Sequence, residues 1–227
     1  MATNNLEGWV VVITGAAGRL GRRMVSRFAE HGATIAAVDV QADAMVLPEG
    51  ARGRAFGVNV TDEAAVQVGF QQIGEAFGRV DALVHTVGAW DGRPFLDTSL
   101  DAWNRMVDLN LTSAFLCFRE ALRLMQGHGG RLIGIASGQG ADRGRAQQGG
   151  YSAAKAGVVR LVEAVAEEME GSGITAHAIA PSMILFEENS DQKGVAVSHI
   201  VDLALYLCSP AGDALNGATL RAYGSLR

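Results

Sequence analysis

The sequence predicts one doubly wound α/β domain over residues 1–227, with about seven parallel strands flanked by helices on both faces. Three observations carry this reading. Short apolar β-type runs alternate with longer amphipathic segments, as repeated β-α units require. Those runs are rich in Val, Ile and Ala without clean polar alternation, which suits strands buried on both faces of a parallel sheet. A chain of 227 residues, 48% hydrophobic and 19% charged, has the size and composition of one sizeable globular domain.

The first strand is expected over 9–14, where Trp9 is followed by Val-Val-Val-Ile-Thr. It runs straight into a glycine-rich turn and a helix over 19–31. Strands over 33–38 and 52–59 lead to a helix over 62–77. The fourth strand, 80–86, is followed by one long helix over 100–126, with an apolar stripe that includes Met106, Leu109, Phe115 and Leu122. The fifth strand, 130–137, ends on Ser137. A helix over 149–170 opens with Tyr151 and carries Ala153, Ala154, Ala156 and Gly157, small residues that allow close packing. The sixth strand covers 174–180, the last helix 197–208 and the last strand 218–222. The 29 glycines are dispersed along this pattern and punctuate its turns.

Composition narrows the partners. A net charge of −5 gives no electrostatic reason to expect a nucleic acid. Cys117 and Cys208 lie far apart with no metal-ligand cluster around them, so both read as reduced core residues and no metal is expected. Residues 1–8 lack the basic flank and apolar stretch of a signal peptide, and no apolar run reaches membrane-spanning length. A soluble, cytoplasmic protein is expected, with a small molecule as its substrate.

In doubly wound sheets ligands bind at the carboxyl ends of the strands, near the switch in strand order. The first strand delivers Thr14-Gly15-Ala-Ala-Gly18-Arg19-Leu20-Gly21 to that edge. Glycines permit a tight turn and close approach to a pyrophosphate, which a helix N-terminus stabilises. Asp39 follows at the end of the second strand, where a carboxylate binds an adenosine ribose diol. Together these make a Rossmann-type dinucleotide site; the plain alternative is a tight turn beside a surface aspartate. A carboxylate there repels a 2′-phosphate, so NAD is favoured over NADP. Arg19, Arg22 and Arg23 point weakly the other way unless they serve a solvated helix face or the pyrophosphate, which is the preferred reading.

Tyr151 and Lys155 stand four residues apart and share one helix face. A cation beside a phenol favours the phenolate and lowers its pKa from about 10 towards working pH. Tyr151 is thereby a general acid/base for an alcohol or carbonyl.

With Asn110, Ser137, Tyr151 and Lys155 in this order and near this spacing, the chain resembles the compact, single-domain branch of the short-chain dehydrogenase/reductase family along nearly its whole length. The resemblance implies that Tyr151 exchanges the proton while Ser137 hydrogen-bonds the substrate oxygen. It implies that Lys155 binds the nicotinamide ribose and lowers the tyrosine pKa, and that Asn110 helps hold a water linking Lys155 to solvent. Gly15, Gly18, Arg19, Leu20, Gly21, Asp39, Asn59, Val60, Gly88 and Pro181 join Tyr151 and Lys155 as the implied cofactor contacts. A homodimer or homotetramer is implied as well, through the helices that carry Asn110 and Tyr151 and through the last helix and strand.

Four departures from the family pattern matter. Arg19 takes the place of the middle glycine in the usual turn, with Gly18 before it. The Asn-Asn-Ala-Gly after the fourth strand is His85-Thr86-Val87-Gly88, with His85 expected to hydrogen-bond between strands. The adenine-contacting Asp-Val is Asn59-Val60, whose side-chain carbonyl can still accept from an adenine amine. The segment after Pro181 runs through Ser182, Met183, Glu187, Glu188 and Asp191 to the next helix, a short substrate lid without the usual threonine. The acidic residues are read as a solvated loop face. Trp90, Phe95 and Met183 offer apolar pocket walls, and Asp91, Arg93, Asp142, Arg143 and Gln148 offer polar ones. The leading expectation is an NAD(P)-dependent oxidoreductase interconverting a secondary alcohol and a ketone. An NADPH-dependent reductase of a 3-oxoacyl thioester and a dinucleotide-binding sensor or scaffold are the alternatives.

Overall fold

In the computed structural model, residues 5–224 are described; the first four residues of the segment read as lacking a signal peptide lie outside them. In chain order the elements begin with β1 (Val10–Thr14), α1 (Arg19–Glu30), β2 (Thr34–Asp39), β3 (Gly53–Gly57), α2 (Glu63–Phe77) and β4 (Ala82–His85). The middle of the chain supplies α3 (Leu100–Val107), α4 (Ser113–Met125), β5 (Gly130–Ile135), α5 (Gly138–Ala141) and α6 (Gly149–Glu168). β6 (Ile174–Pro181), β7 (Ile184–Leu185), β8 (Val195–Ala196), α7 (Val197–Leu207) and β9 (Thr219–Ala222) complete it.

Seven strands form one sheet in the order β3-β2-β1-β4-β5-β6-β9, with every neighbouring pair parallel. Chain order reverses between β1 and β4, so the ends of these two strands open the crevice where a ligand can lie. Adjacent side chains on β1 feed opposite cores, as the pleat demands. Val11 and Ile13 pack with Met24, Phe28 and Leu205 beneath α1 and α7. Val12 packs with Phe70, Phe118 and Val162 beneath α2, α4 and α6.

Local chemistry starts the helices. The Asp62 carboxylate accepts from Ala65 N at 2.9 Å to cap α2, and Ser99 Oγ accepts from Ala102 N at 3.2 Å to cap α3. Gly18 caps α1 without any side-chain bond, leaving the first N–H groups of that helix facing the crevice.

One expectation is corrected and one is extended. The helix expected over 100–126 is broken by a π-helical turn at Asp108–Thr112. The Asn110 side chain causes the break: its amide donates to Met106 O on its own helix and to Ala89 O beyond β4, each at 2.9 Å. The segment after β6 keeps its acidic side chains exposed, as expected of a solvated loop face, and adds local order to it. β7 pairs with β8, while Asn189 accepts from Phe186 N at 2.7 Å and donates to Ile184 O at 3.3 Å. This tongue docks on α1 through ion pairs of Glu188 with Arg19 and of Glu187 with Arg23. Its acidic residues and those arginines face one another, which neither of their separate readings foresaw.

Among the described residues, no helix is long and apolar enough to cross a membrane, and no cluster of His, Cys, Asp and Glu is arranged to hold a metal ion.

Candidate active site

A groove of about 570 Å³ opens at the carboxyl ends of β1, β2 and β4, and every residue expected to bind cofactor lines it. Its floor is the turn after β1. Gly15 holds φ +71°, a conformation that side chains disfavour, and a Cβ on Gly21 would sit 2.0 Å from Gly15 O. The turn therefore admits only glycine at Gly21 and presses α1 against β1. Asp39 is fixed by the same turn: its Oδ2 accepts from Ala17 N at 3.0 Å and its Oδ1 from Gln41 N at 3.2 Å. An uncapped helix start, a close-approach glycine turn and a positioned carboxylate fit a dinucleotide, with phosphates over the turn and a ribose at Asp39. Asn59 differs from expectation, because its Oδ1 already accepts from Thr61 N at 3.2 Å and from Thr61 Oγ1 at 2.8 Å. The carbonyl offered to adenine is thus committed to its own loop.

Deeper in the groove lie Asn110, Ser137, Tyr151 and Lys155, brought together from the π turn, the end of β5 and the first turns of α6. Lys155 is buried and its Nζ donates to Ile135 O at 2.8 Å. Loss of solvent lowers its pKa to about 8. Ser137, extended at the N-terminus of α5, accepts from Gln139 N at 3.3 Å, and its hydroxyl is near enough to the Tyr151 phenol to affect its pKa. The tyrosine pKa moves up rather than down, a correction to the expectation from spacing. Burial raises it from the usual 10.0, and the nearby Ser137 hydroxyl opposes that only in part. The lysine does not reverse it, being turned onto the Ile135 carbonyl. Asn110 is wholly buried and spends its side chain on Ala89 and Met106, accepting from Ala89 N at 3.2 Å. It clamps the loop after β4 against the π turn. A Cβ on Gly88 would stand 2.7 Å from Asn110 Oδ1 and 3.0 Å from Lys155 Nζ, so the absent side chain makes room for both.

His85 bonds between strands and stays out of the groove. Its Nδ1 lies 2.8 Å from Thr14 Oγ1 on the neighbouring strand, and its Nε2 lies 3.1 Å from Ser113 Oγ. Burial, with the nearby Lys155 charge, lowers its pKa to about 3 and keeps it neutral.

A second cavity, of about 800 Å³, adjoins the groove and shares Trp90, Ser137, Tyr151, Pro181 and Ser182 with it. Ser137 and Tyr151 thus stand on the wall between the two. Trp90, Gln148 and Met183 line this second cavity, as do Asp142 and Arg143. Phe95, Asp91 and Arg93 line neither cavity; Asp91 and Arg93 pair with each other at 2.7 Å. Gln139 and Arg145 are walls from the stretch 138–148 expected to supply them, while Tyr223 is a wall that the sequence reading did not name. Tyr223 had a readable signal, since Pro181 pairs with Ala222 and brings the end of β9 beside the site. It bonds Asp142, which Arg221 also holds at 2.7 Å.

Comparison with known proteins matches residues 9–193 to the short chain dehydrogenase family. The chain is 30% identical to the 3-oxoacyl-(acyl-carrier-protein) reductase of Vibrio harveyi, over 98% of each chain. It is 33% identical to the D-threitol dehydrogenase of Mycolicibacterium smegmatis, over 95% of this chain and 91% of that one. Among solved structures it resembles a 7α-hydroxysteroid dehydrogenase complexed with NADH and 7-oxo glycochenodeoxycholic acid, at TM-score 0.90 and 26% identity. That match covers 98% of this chain and 96% of the other.

Proposed function

This chain belongs to the short-chain dehydrogenase family and is an NAD(P)-dependent oxidoreductase of CH–OH and C=O groups; from that premise we propose that Tyr151 is its general acid/base and NAD its preferred cofactor. The observation that carries the reading is the placement of Ser137 and Tyr151 together on the wall shared by the two cavities. A substrate in the larger cavity meets both hydroxyls there while staying open to the groove.

When bound, the nicotinamide supplies the hydride in reduction and takes it in oxidation. Ser137 and Tyr151 hold the substrate oxygen. Tyr151 donates its proton as a ketone becomes an alcohol and withdraws one in the opposite direction. Lys155 would hold the cofactor ribose from the groove floor, and a cation there favours the phenolate. Asn110 is a positioning residue that fixes the loop carrying Gly88 and Ala89. Gly15, Gly18 and Gly21 admit the phosphates, and Asp39 supports NAD because a carboxylate fixed at the ribose end disfavours a second phosphate there.

We extend the proposal to the whole chain as one domain, to a homodimer or homotetramer and to a cytoplasmic setting. Supporting these are Phe115, 44% exposed on α4, and the two unpaired buried cysteines, Cys117 and Cys208. The likeness to a 3-oxoacyl carrier-protein reductase keeps a thioester substrate as a second reading. The sensor alternative is set aside, because the family and the relatives named above are oxidoreductases.

The test is a fluorescence titration with NADH and NADPH, followed by turnover of alcohols, ketones and thioesters by wild type and Tyr151→Phe. Tighter NADH binding and turnover lost with the phenol are expected. Tighter NADPH binding overturns the reading of Asp39, and equal turnover by the two proteins overturns the role of Tyr151.

A further inference from the structure

We propose that the substrate is a small polyhydroxylated acid, its extra hydroxyls held by Gln139 and Gln148 and its carboxylate by Arg143 and Arg145. The inference rests on the oxidoreductase reading of the same site and adds the class of molecule it takes.

Gln139 and Gln148 both line the cavity that holds Ser137 and Tyr151. The Oε1 atom of each is buried and has no hydrogen-bond partner. Buried amide oxygens are costly to leave unmet, so each carboxamide gains a bond by turning toward a ligand hydroxyl in the cavity that its residue lines. A hydroxyl is the group that suits them, because it donates and accepts and so satisfies a carboxamide in either orientation. An apolar ketone would leave both unmet and add nothing to offset their burial.

Gln148 is held in place by its own segment. It follows Gln147, which sits at φ +63° in the left-handed region, and Gln147 O accepts from Arg93 N at 2.7 Å. Gln148 N donates to Arg145 O at 3.1 Å, and Gln148 then opens α6 three residues before Tyr151. Such backbone strain persists where the surroundings enforce it, and here it fixes the segment that carries Gln148 beside the start of α6.

Charge selects the acid. The lining contains Arg143 and Arg145 against one carboxylate, Asp142. Asp142 is engaged by Arg221 and Tyr223. Among the described residues neither Arg143 nor Arg145 forms an ion pair, although Arg143 acts on Asp142 at longer range. Two guanidinium groups left over at a cavity mouth favour an anion, and their forked donors match a carboxylate.

A matched four-carbon series tests this: threonate, the uncharged threitol and butan-2-ol, each oxidised with NAD, beside acetoacetyl-pantetheine reduced with NADH. Expected is the largest kcat/KM for threonate, at least tenfold above threitol, with butan-2-ol lowest. Arg143→Gln with Arg145→Gln is expected to cut the threonate-to-threitol ratio at least tenfold. Gln148→Leu is expected to cut the threitol-to-butan-2-ol ratio similarly. A preference for butan-2-ol or the thioester, or ratios unmoved by these variants, overturns the proposal. Turnover lost in Tyr151→Phe on any member keeps the oxidoreductase reading even then. Conversely, calorimetric binding of threonate to the NAD complex of Tyr151→Phe reads the pocket without the chemistry. Binding there with no Tyr151-dependent turnover overturns the catalytic reading alone, and no binding overturns the substrate class.

Discussion

The Lys155 ammonium donates to the Ile135 carbonyl at 2.8 Å, so the charge on the groove floor is anchored to the end of β5. Burial lowers its pKa from 10.5 to about 8. Between those values the unfolded chain binds a proton that the folded chain does not, so stability rises with pH through this window. Relative to Lys155→Met, wild type should gain roughly 3 kcal/mol from pH 8 to 10.5, since each tenfold difference in proton affinity is worth about 1.4 kcal/mol. Urea unfolding of both proteins at pH 7.5, 9 and 10.5 measures this. A difference that stays flat across the range sinks the argument.

Ser137 and Tyr151 set the pH profile of the reaction. Burial raises the phenol's pKa from the usual 10.0 and the nearby Ser137 hydroxyl draws it back. Alcohol oxidation needs the phenolate, so its rate should climb through the alkaline range, while ketone reduction needs the phenol and should fall there. Ser137→Ala removes the opposing hydroxyl and should move the oxidation limb to higher pH. Tyr151→Phe should lower kcat by about 10²–10⁴-fold in both directions, the usual share of a general acid/base. Profiles of kcat against pH in each direction check it; a limb that shifts to lower pH in Ser137→Ala contradicts the assignment.

His85 is a structural residue with a defined proton. Ser113 Oγ donates to Leu109 O at 2.9 Å, which leaves it as acceptor for His85 Nε2–H. Nδ1 then accepts from the Thr14 hydroxyl. With the folded pKa at about 3 against 6.5, the unfolded chain protonates first, and stability is lost as pH falls from 6.5. About 2 kcal/mol should go by pH 5. His85→Leu should lower stability at pH 7 by about 1–3 kcal/mol through the orphaned Thr14 hydroxyl and the bond lost at Ser113, which keeps its own bond to Leu109 O. It should also flatten the acid slope while turnover persists. An equally steep acid slope in the variant argues against a buried neutral imidazole.

The parts of this site that were legible in the sequence are those fixed by local stereochemistry. Gly15 and Gly21 are demanded by a turn whose geometry spans seven residues, and Asp39 follows from where β2 ends. Tyr151 and Lys155 share a helix face whatever surrounds them. The π turn at Asn110 was hidden because its cause is a bond to Ala89, 21 residues away. The upward tyrosine shift was hidden for the same reason: spacing reports the neighbouring cation, while desolvation depends on the whole enclosure. Likewise Arg19 and Glu188 are 169 residues apart, so each looked like a solvated charge.

That last contact yields a prediction about cofactor entry. The Arg19 guanidinium pairs with Glu188 and lies 3.8 Å over the Phe186 ring, while Arg23 pairs with Glu187 at 2.7 Å. Arg19 and Phe186 also line the groove, so the tongue after β6 is tied to α1 beside the place offered to the phosphates. Both pairs are largely exposed, and exposed pairs are weak and screened by salt. The two carboxylates therefore oppose an incoming pyrophosphate more than they stabilise the fold. Glu187→Gln with Glu188→Gln should tighten NAD binding several-fold at low ionic strength by releasing Arg19 and Arg23 toward the groove. The gain should shrink as salt approaches about 0.5 M, where the screening length falls below 5 Å. Titrations of NADH fluorescence at both ionic strengths measure it. Weaker binding in the double variant at low salt would instead make the tongue a clamp that the cofactor needs closed.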